Sequence, residues 1–348
     1  MMRKLFFPVL FALMFISCEH RELLDPDYRH YVRIYVDEEI KNVTCGFYSD
    51  NRQRPEYERP RVMRVVLADP VTNQIVAERY LQTSGTDERG YYIDGYIAAT
   101  EGTYNMMVYN FGTAYTSIRS ENSYIDARAT TSPVSEKYYP YFPTFQEEFD
   151  KSAIRYCPDH LFLLNEERIS VKKTAGIDTL RNAAGDFFTI SSAVKSYYLQ
   201  VKIKGIEYIT SAVSLLSGMA GTISLHNAEM NVNDPVSVFF DLDYAELVRR
   251  DGDQKNSATL YATFNTFGKL PEEKNLYTLN FEFSRSDGTS QVESIDITSM
   301  FDEPLVKNQQ WILLEKEIEI TPSFGGSGGG GMTPGVDEWE DIWTNVQL

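Results

Sequence analysis

The sequence predicts an all-β protein of two β-sandwich domains in tandem, with few short helices. Three observations predict it. Strand-favouring aromatic residues are abundant, with 23 Tyr and 20 Phe. Apolar residues recur at every second position in many short runs, the period of a strand with one buried face. The length of 348 residues is more than one ordinary domain uses.

Residues 1–17 read as a secretory signal. Arg3 and Lys4 give a positive start, and Leu5 to Ile16 is apolar apart from Pro8. That run is too short to span a bilayer as a helix. It ends in Phe15-Ile16-Ser17-Cys18, where a small residue stands directly before a cysteine, as in a lipobox. Cleavage is expected between Ser17 and Cys18, with the Cys18 thiol carrying the lipid. Each buried methylene contributes about 0.8 kcal/mol, so two or three acyl chains, palmitate among them, hold a chain in the membrane. No later stretch approaches about 18 consecutive apolar residues. The mature protein is therefore expected to hang from a membrane rather than cross it.

Residues 18–29 form a polar tether, acidic at Glu19, Glu22, Asp25 and Asp27. The first sandwich is expected over 30–157. Val32, Ile34 and Val36 alternate on one face of a strand. Runs at 62–67 and 75–81 follow, joined by the turn-rich Asp69-Pro70-Val71-Thr72-Asn73. Further strands are expected at 91–98 and 104–109, about the turn Glu101-Gly102. Tyr91, Tyr92 and Tyr96 read as strand packing. Residues 113–158 show no sustained period and hold Pro133, Pro140, Pro143 and Pro158. So long a loop is usually functional or lies between domains. Its aromatic run offers Tyr138, Tyr139, Tyr141 and Phe142 as candidate ligand contacts, since exposed rings stack on sugars and on partner proteins. Burial of the same rings to pin the loop is the other reading.

The second sandwich is expected over 158–321. Leu199, Val201 and Ile203 alternate, and further strands are expected at 222–226, 236–242, 259–264, 276–283, 292–297 and 311–320. Ser286-Asp287-Gly288-Thr289 marks a hairpin. Residues 206–216 and 244–249 read as short helices. Residues 322–348 begin as a flexible Gly-rich linker and end in an acidic tail. Trp339, Ile342, Trp343 and Val346 give that tail the pattern of a donor strand for a partner's open sheet edge, or of a short amphipathic helix packed on its own domain.

The net charge of −17 argues against nucleic acid as a partner. Neither a metal nor a cofactor is expected: His20, His30, His160 and His226 stand in no zinc-binding pattern, and no phosphate-binding loop occurs. Ser327 sits in a Gly-x-Ser-x-Gly match, but within the glycine linker, where no strand and helix can hold it. Ser192…Lys195, Ser170…Lys173 and Ser49-Asp50-Asn51 match penicillin-binding-protein motifs in the wrong order. An enzyme is therefore not expected. Cys45 and Cys157 are candidates for a disulfide in an exported chain, or for two buried thiols.

Several segments resemble a known group. Glu19-His20-Arg21-Glu22 after the lipid cysteine, the strand Gly102 to Asn110, and Leu215 to Gly221 before a strand are similar to Bacteroidetes lipoproteins. The family is a domain of unknown function related to fimbrillins and to fimbrillin-associated anchor proteins. Phe264 to Gly268, and Asp287-Gly288 leading to Asp296-Ile297-Thr298, add to the likeness. The resemblance implies transthyretin-like sandwiches, outer-membrane display at the cell surface, and a fimbrial anchor, accessory subunit or adhesin. It implies fimbrial or other surface proteins as partners. A glycan-binding surface lipoprotein is the alternative. Strand donation after Arg-specific cleavage, in a loop holding Arg52, Arg54, Arg59 and Arg61, is what the resemblance implies for assembly.

Overall fold

The alternating runs form strands whose apolar side chains converge on enclosed cores. The computed structural model describes residues 28–37, 59–110, 113–173, 177–248, 255–271 and 276–322. The chain is all-β, built of sheets packed as sandwiches, with only short helices and 3-10 turns. Among the described residues no helix is long and apolar enough to cross a membrane.

The first sandwich uses β1 (Arg29–Val36), β2 (Met63–Ala68), β3 (Ile75–Leu81), β4 (Thr83–Asp87), β5 (Gly90–Ala98) and β6 (Gly102–Asn110). A hairpin of β7 (Thr116–Arg119) and β8 (Arg128–Thr131) and the short β9 (Ile154–Tyr156) follow. Then β10 (Phe162–Val171), β11 (Asp178–Thr179) and β12 (Phe188–Ser192) return to the first sheet. Its order is β3-β2-β6-β10-β12-β1-β5-β4, with β11 beside β1. Only Gln82 separates β3 from β4. One bent stretch of chain therefore supplies both ends of the order, and the sheet curls back over itself. Val32, Ile34, Val65, Leu67, Ile93, Met106, Val108, Phe162 and Phe188 fill the space it encloses.

The second sandwich packs two sheets. One is β17 (Asp243–Val248), β18 (Ser257–Thr266), β13 (Lys195–Lys204) and β21 (Trp311–Glu319), in that order. The other is β20 (Ser290–Asp296), β19 (Thr278–Arg285), β14 (Ile209–Ala220), β16 (Pro235–Asp241) and β9. Leu199, Val201, Leu216, Phe240, Phe264, Leu279 and Phe281 lie between them. The short β15 (Thr222–Ser224) joins β8 and β7 in a small third sheet.

Three expectations need correction. Residues 206–216 hold a 3-10 turn at Ile206–Tyr208 and then β14, not a helix. β14 is buried on both faces: Ala212 and Leu216 face the sandwich core, while Val213 and Leu215 lie under the segment before β9. A strand buried twice shows a continuous apolar run, which period alone does not separate from a helix. Residues 244–248 are likewise strand, paired to β18. Finally, strand membership does not follow a division at 157/158. β10 and β12 lie in the first sheet, whereas β9 pairs in parallel with β16 in the second sandwich.

The two sandwiches share an apolar junction. Val66, Met107, Tyr109 and Leu163 on the outer face of the first sheet pack with Tyr124 and Ala129 of the connecting segment, and with Ile223, Leu225, Phe267 and Leu270. Residue 28 and the start of the second sandwich lie at opposite ends of the first sheet. Residue 28 enters β1 at one end, and β12, parallel to β1, runs to the other before β13 begins.

Candidate functional site

The curled first sheet does not close completely. β4 pairs with β5 from Asp87↔Gly90 as far as Thr83↔Asp94. Past that pair the two strands diverge. Among the described residues β3 pairs only with β2, and Tyr96 to Ala98 of β5 pair only with β1. Two strand edges thus face one another across a cleft of about 790 Å³, lined by Arg29, Ile75 to Arg79, Tyr96, Ala98 and Asn122. Leu81 plugs its inner end. It packs against Gly95, where an added Cβ would sit 2.9 Å from the Leu81 side chain. Val76 and Tyr96 are exposed at 52% and 46%, so the mouth sets two apolar side chains among Arg29, Glu78, Arg79 and Asn122, beside unpaired backbone groups. An edge of this kind is a template for another strand.

Arg64 braces the cleft. It is 2% exposed, and its guanidinium donates to Glu78 on β3, to the Tyr109 hydroxyl, and to the Glu121 carbonyl at 3.1 Å. Glu78 and Asn122, the residue after Glu121, both line the opening.

The predicted aromatic loop is mostly not a surface. Tyr139 and Phe142 are 8% and 0% exposed and pack with Phe145 and Phe239. As ligand contacts these two are corrected: they form a small core over β14 and β16. Tyr138 is half-buried beside Tyr156, and Tyr141 lies in the 3-10 turn Glu136–Tyr141. The short helix Pro143–Glu148 follows. Its first free amides, of Thr144 and Phe145, donate to Oε1 and Oε2 of Glu282 at 2.9 and 2.8 Å. Glu282 is wholly buried, so one acid from β19 pins this segment to the sheet.

The cysteines divide. Cys157 donates its thiol to the Phe239 carbonyl at 3.3 Å, and burial pushes the thiol up to about 12 from its ordinary 9.0. Ser17, Cys18 and Cys45 lie outside the described residues, as do Arg52, Arg54, Trp339, Ile342, Trp343 and Val346. Only the thiolate attacks thiol reagents, so the folded chain should modify Cys157 roughly a thousandfold more slowly at pH 8 than the unfolded chain. A Cys18→Ser/Cys45→Ser chain followed with a chromogenic disulfide checks this. Cys157 is half-buried by exposure, and equal rates with and without denaturant would contradict a thiol held up by its surroundings.

One surface was missed in the sequence. Tyr31, Arg33 and Tyr35 of β1 face away from the core and pair across strands with Tyr96, Asp94 and Tyr92 of β5. The Arg33 guanidinium lies 3.8 Å over the Tyr92 ring and pairs with Asp94 and Asp87 at 3.0 and 3.2 Å. Tyr35 donates to Asp87 at 2.7 Å, and Tyr31 donates to Asp94. Burial and that hydrogen bond push the Tyr31 hydroxyl up to about 12. Phe187 adds a fifth ring against Tyr35, at 5.9 Å between centroids. The signal was present: the rings alternate with Val32, Ile34 and Val36, and so share the face opposite the core.

Known proteins were compared with this chain. A family model described as Domain of unknown function (DUF5119) matches residues 17–241. A Bacteroides ovatus protein provisionally named fimbrium anchoring subunit Fim4B is 23% identical, over 97% of this chain and 95% of its own length. A crystal structure of a Bacteroides ovatus protein provisionally described as an adhesin superposes with a TM-score of 0.57 at 20% identity. That match covers 89% of this chain and 99% of the other, and it bears on the fold.

Proposed function

Because the chain belongs to the DUF5119 family, we propose that it is a fimbrial anchor or accessory subunit, held at the outer membrane by lipid on Cys18 and acting by protein–protein assembly rather than catalysis. The observation that carries the reading is the cleft between β3 and β5. Two unpaired strand edges, with Val76 and Tyr96 exposed between them, suit the addition of a partner's strand, which would complete the curled sheet. The end-to-end likeness to a protein named as an anchoring subunit supports it. So does the lipobox ending at Cys18, with ten residues between that cysteine and β1. In this reading the first unit runs to Ser192 and the second from Lys195 to Ile320. The acidic tail at Trp339, Ile342, Trp343 and Val346 is the chain's own strand to donate.

The test uses Cys18→Ala in cells that display fimbriae. The unaltered protein should take up labelled palmitate and fractionate with the outer membrane. The variant should take up none and appear in soluble fractions, with fibres shed into the medium. Fibres that stay attached to cells carrying only the variant would sink the anchor reading. Removing 336–348 should leave lipidation intact and lower the amount of co-purifying fimbrial protein. An unchanged amount would remove the tail from the assembly.

A further inference from the structure

We propose that the outer face of β1 and β5 is a binding platform for an acidic oligosaccharide, a sugar chain carrying spaced carboxylates. This takes up the glycan reading, but away from the loop at 138–142, most of which packs inward. It does not depend on the anchor reading, because the platform is complete within the first sandwich.

The face is built as three rungs, Tyr31 with Tyr96, Arg33 with Asp94, and Tyr35 with Tyr92. From Tyr31 to Tyr35 the chain rises about 13 Å, at roughly 3.3 Å per residue. That is the length of a short oligosaccharide. The middle of the platform is rigid. Tyr92 lies flat over Gly85, where an added Cβ would come within 2.5 Å of the phenol oxygen. Arg33 stacks on Tyr92, and its charge is met by Asp87 and Asp94. The centre is thus rigid, with both faces of Tyr92 covered and the Arg33 charge met, so open contact is left to the two ends. Aromatic rings of this kind, apolar on the face and polar at the tip, suit the C–H faces and hydroxyls of a sugar. Tyr96, 46% exposed and edge-on to Tyr31, is open to solvent at one end.

The other end is different. Arg181 and Arg89 place their guanidinium carbons 4.2 and 5.9 Å from the centre of the Phe187 ring. Both arginines are exposed, and the Arg89 charge already acts on the nearby Asp87 carboxylate, so Arg181 is the less engaged of the two. Arg181 spends one donor on the Gly185 carbonyl at 3.2 Å. The remaining donors can meet a carboxylate beside Phe187, over whose ring Arg181 is already stacked. Glu88 and Asp186 stand next to these arginines in exposed turns. They oppose a dense polyanion, as does the net charge of −17. A uronate-bearing chain therefore fits better than nucleic acid or a heavily sulfated polymer.

The test is titration calorimetry on the full mature chain, with hexagalacturonate as the acidic probe and cellohexaose as its neutral counterpart. Hexagalacturonate should bind, and cellohexaose at least tenfold more weakly. Arg89→Ala/Arg181→Ala should weaken hexagalacturonate at least tenfold, the loss of one charge-assisted hydrogen bond. Tyr96→Ala should weaken both sugars. These side chains are exposed, so the melting temperature should not move, and an unchanged melt shows that a loss of binding is not a loss of fold. No heat with hexagalacturonate, equal binding of the two sugars, or unaltered binding in the variants would each overturn the proposal. Lipidation and fibre attachment are read separately, so failure here leaves the anchor reading standing, and the reverse holds as well.

Discussion

Glu282→Ala is expected to lower the free energy of unfolding by about 4 kcal/mol, the largest loss from any single side chain discussed above. Glu282 is 0% exposed, and each carboxylate oxygen accepts one helix amide, from Thr144 and from Phe145. Alanine would leave both amides buried without acceptors, each costing about 1–3 kcal/mol, and would empty the space beside Phe145. Glu282→Gln should cost about half as much. Its oxygen can still accept from one amide, but its NH2 group meets the other donor to donor. Urea unfolding followed by far-UV circular dichroism measures both. A loss under 1 kcal/mol for Glu282→Ala would show that the helix Pro143–Glu148 does not depend on this acid. The damage should also be local. Amides from Val134 to Ile154 should lose hydrogen-exchange protection before those of β1.

Arg64→Met is expected to cost about 2–3 kcal/mol and to loosen the cleft. Methionine keeps most of the buried stem but gives up the hydrogen bonds to Glu78, Tyr109 and the Glu121 carbonyl. The loss is bounded because Glu78 and Glu121 are 49% and 46% exposed and can be rehydrated, whereas the Tyr109 hydroxyl is left in the interior. The distinguishing result is positional. With the brace gone, amides of Ile75 to Leu81 should exchange faster than those of β5, because among the described residues β3 pairs only with β2. Uniform acceleration across both strands would mean that Arg64 contributes to general stability and not to the shape of the opening.

Much of this architecture was legible in the residues. Strands buried on one face, such as Arg29–Val36 and Lys195–Lys204, alternate as their environment requires, and the all-β class followed from them. The likeness to a family of unknown function related to fimbrillins was also readable, and the matching family model covers residues 17–241. β14 was not legible, because burial on both faces removes the alternation. Nor was the return of Phe162–Val171 to the first sheet, since pairing across such a separation leaves no local mark. Glu282 follows the same logic in reverse. It alternates with Phe281 and Phe283 and so reads as solvent-facing, yet a helix that begins far away in sequence covers it. The aromatic loop was located and its two readings, ligand contact or inward packing, were left open, because a run of rings does not say which way it points; Tyr139 and Phe142 pack inward. The Tyr31–Tyr96 face needed the register between two strands, which alternation within one strand does not supply.

The placement of β1 has a mechanical meaning. Residue 28 enters β1 at its start, and β12, its parallel neighbour, leads out from the opposite end to the second sandwich. A pull between residue 28 and the far half of the molecule therefore runs along these strands in opposite senses. The hydrogen bonds of β1 to β5 and β12 lie across that direction and are strained together, in shear, rather than opened one after another. A chain held at one end and tugged at the other would resist through the whole length of its first strand.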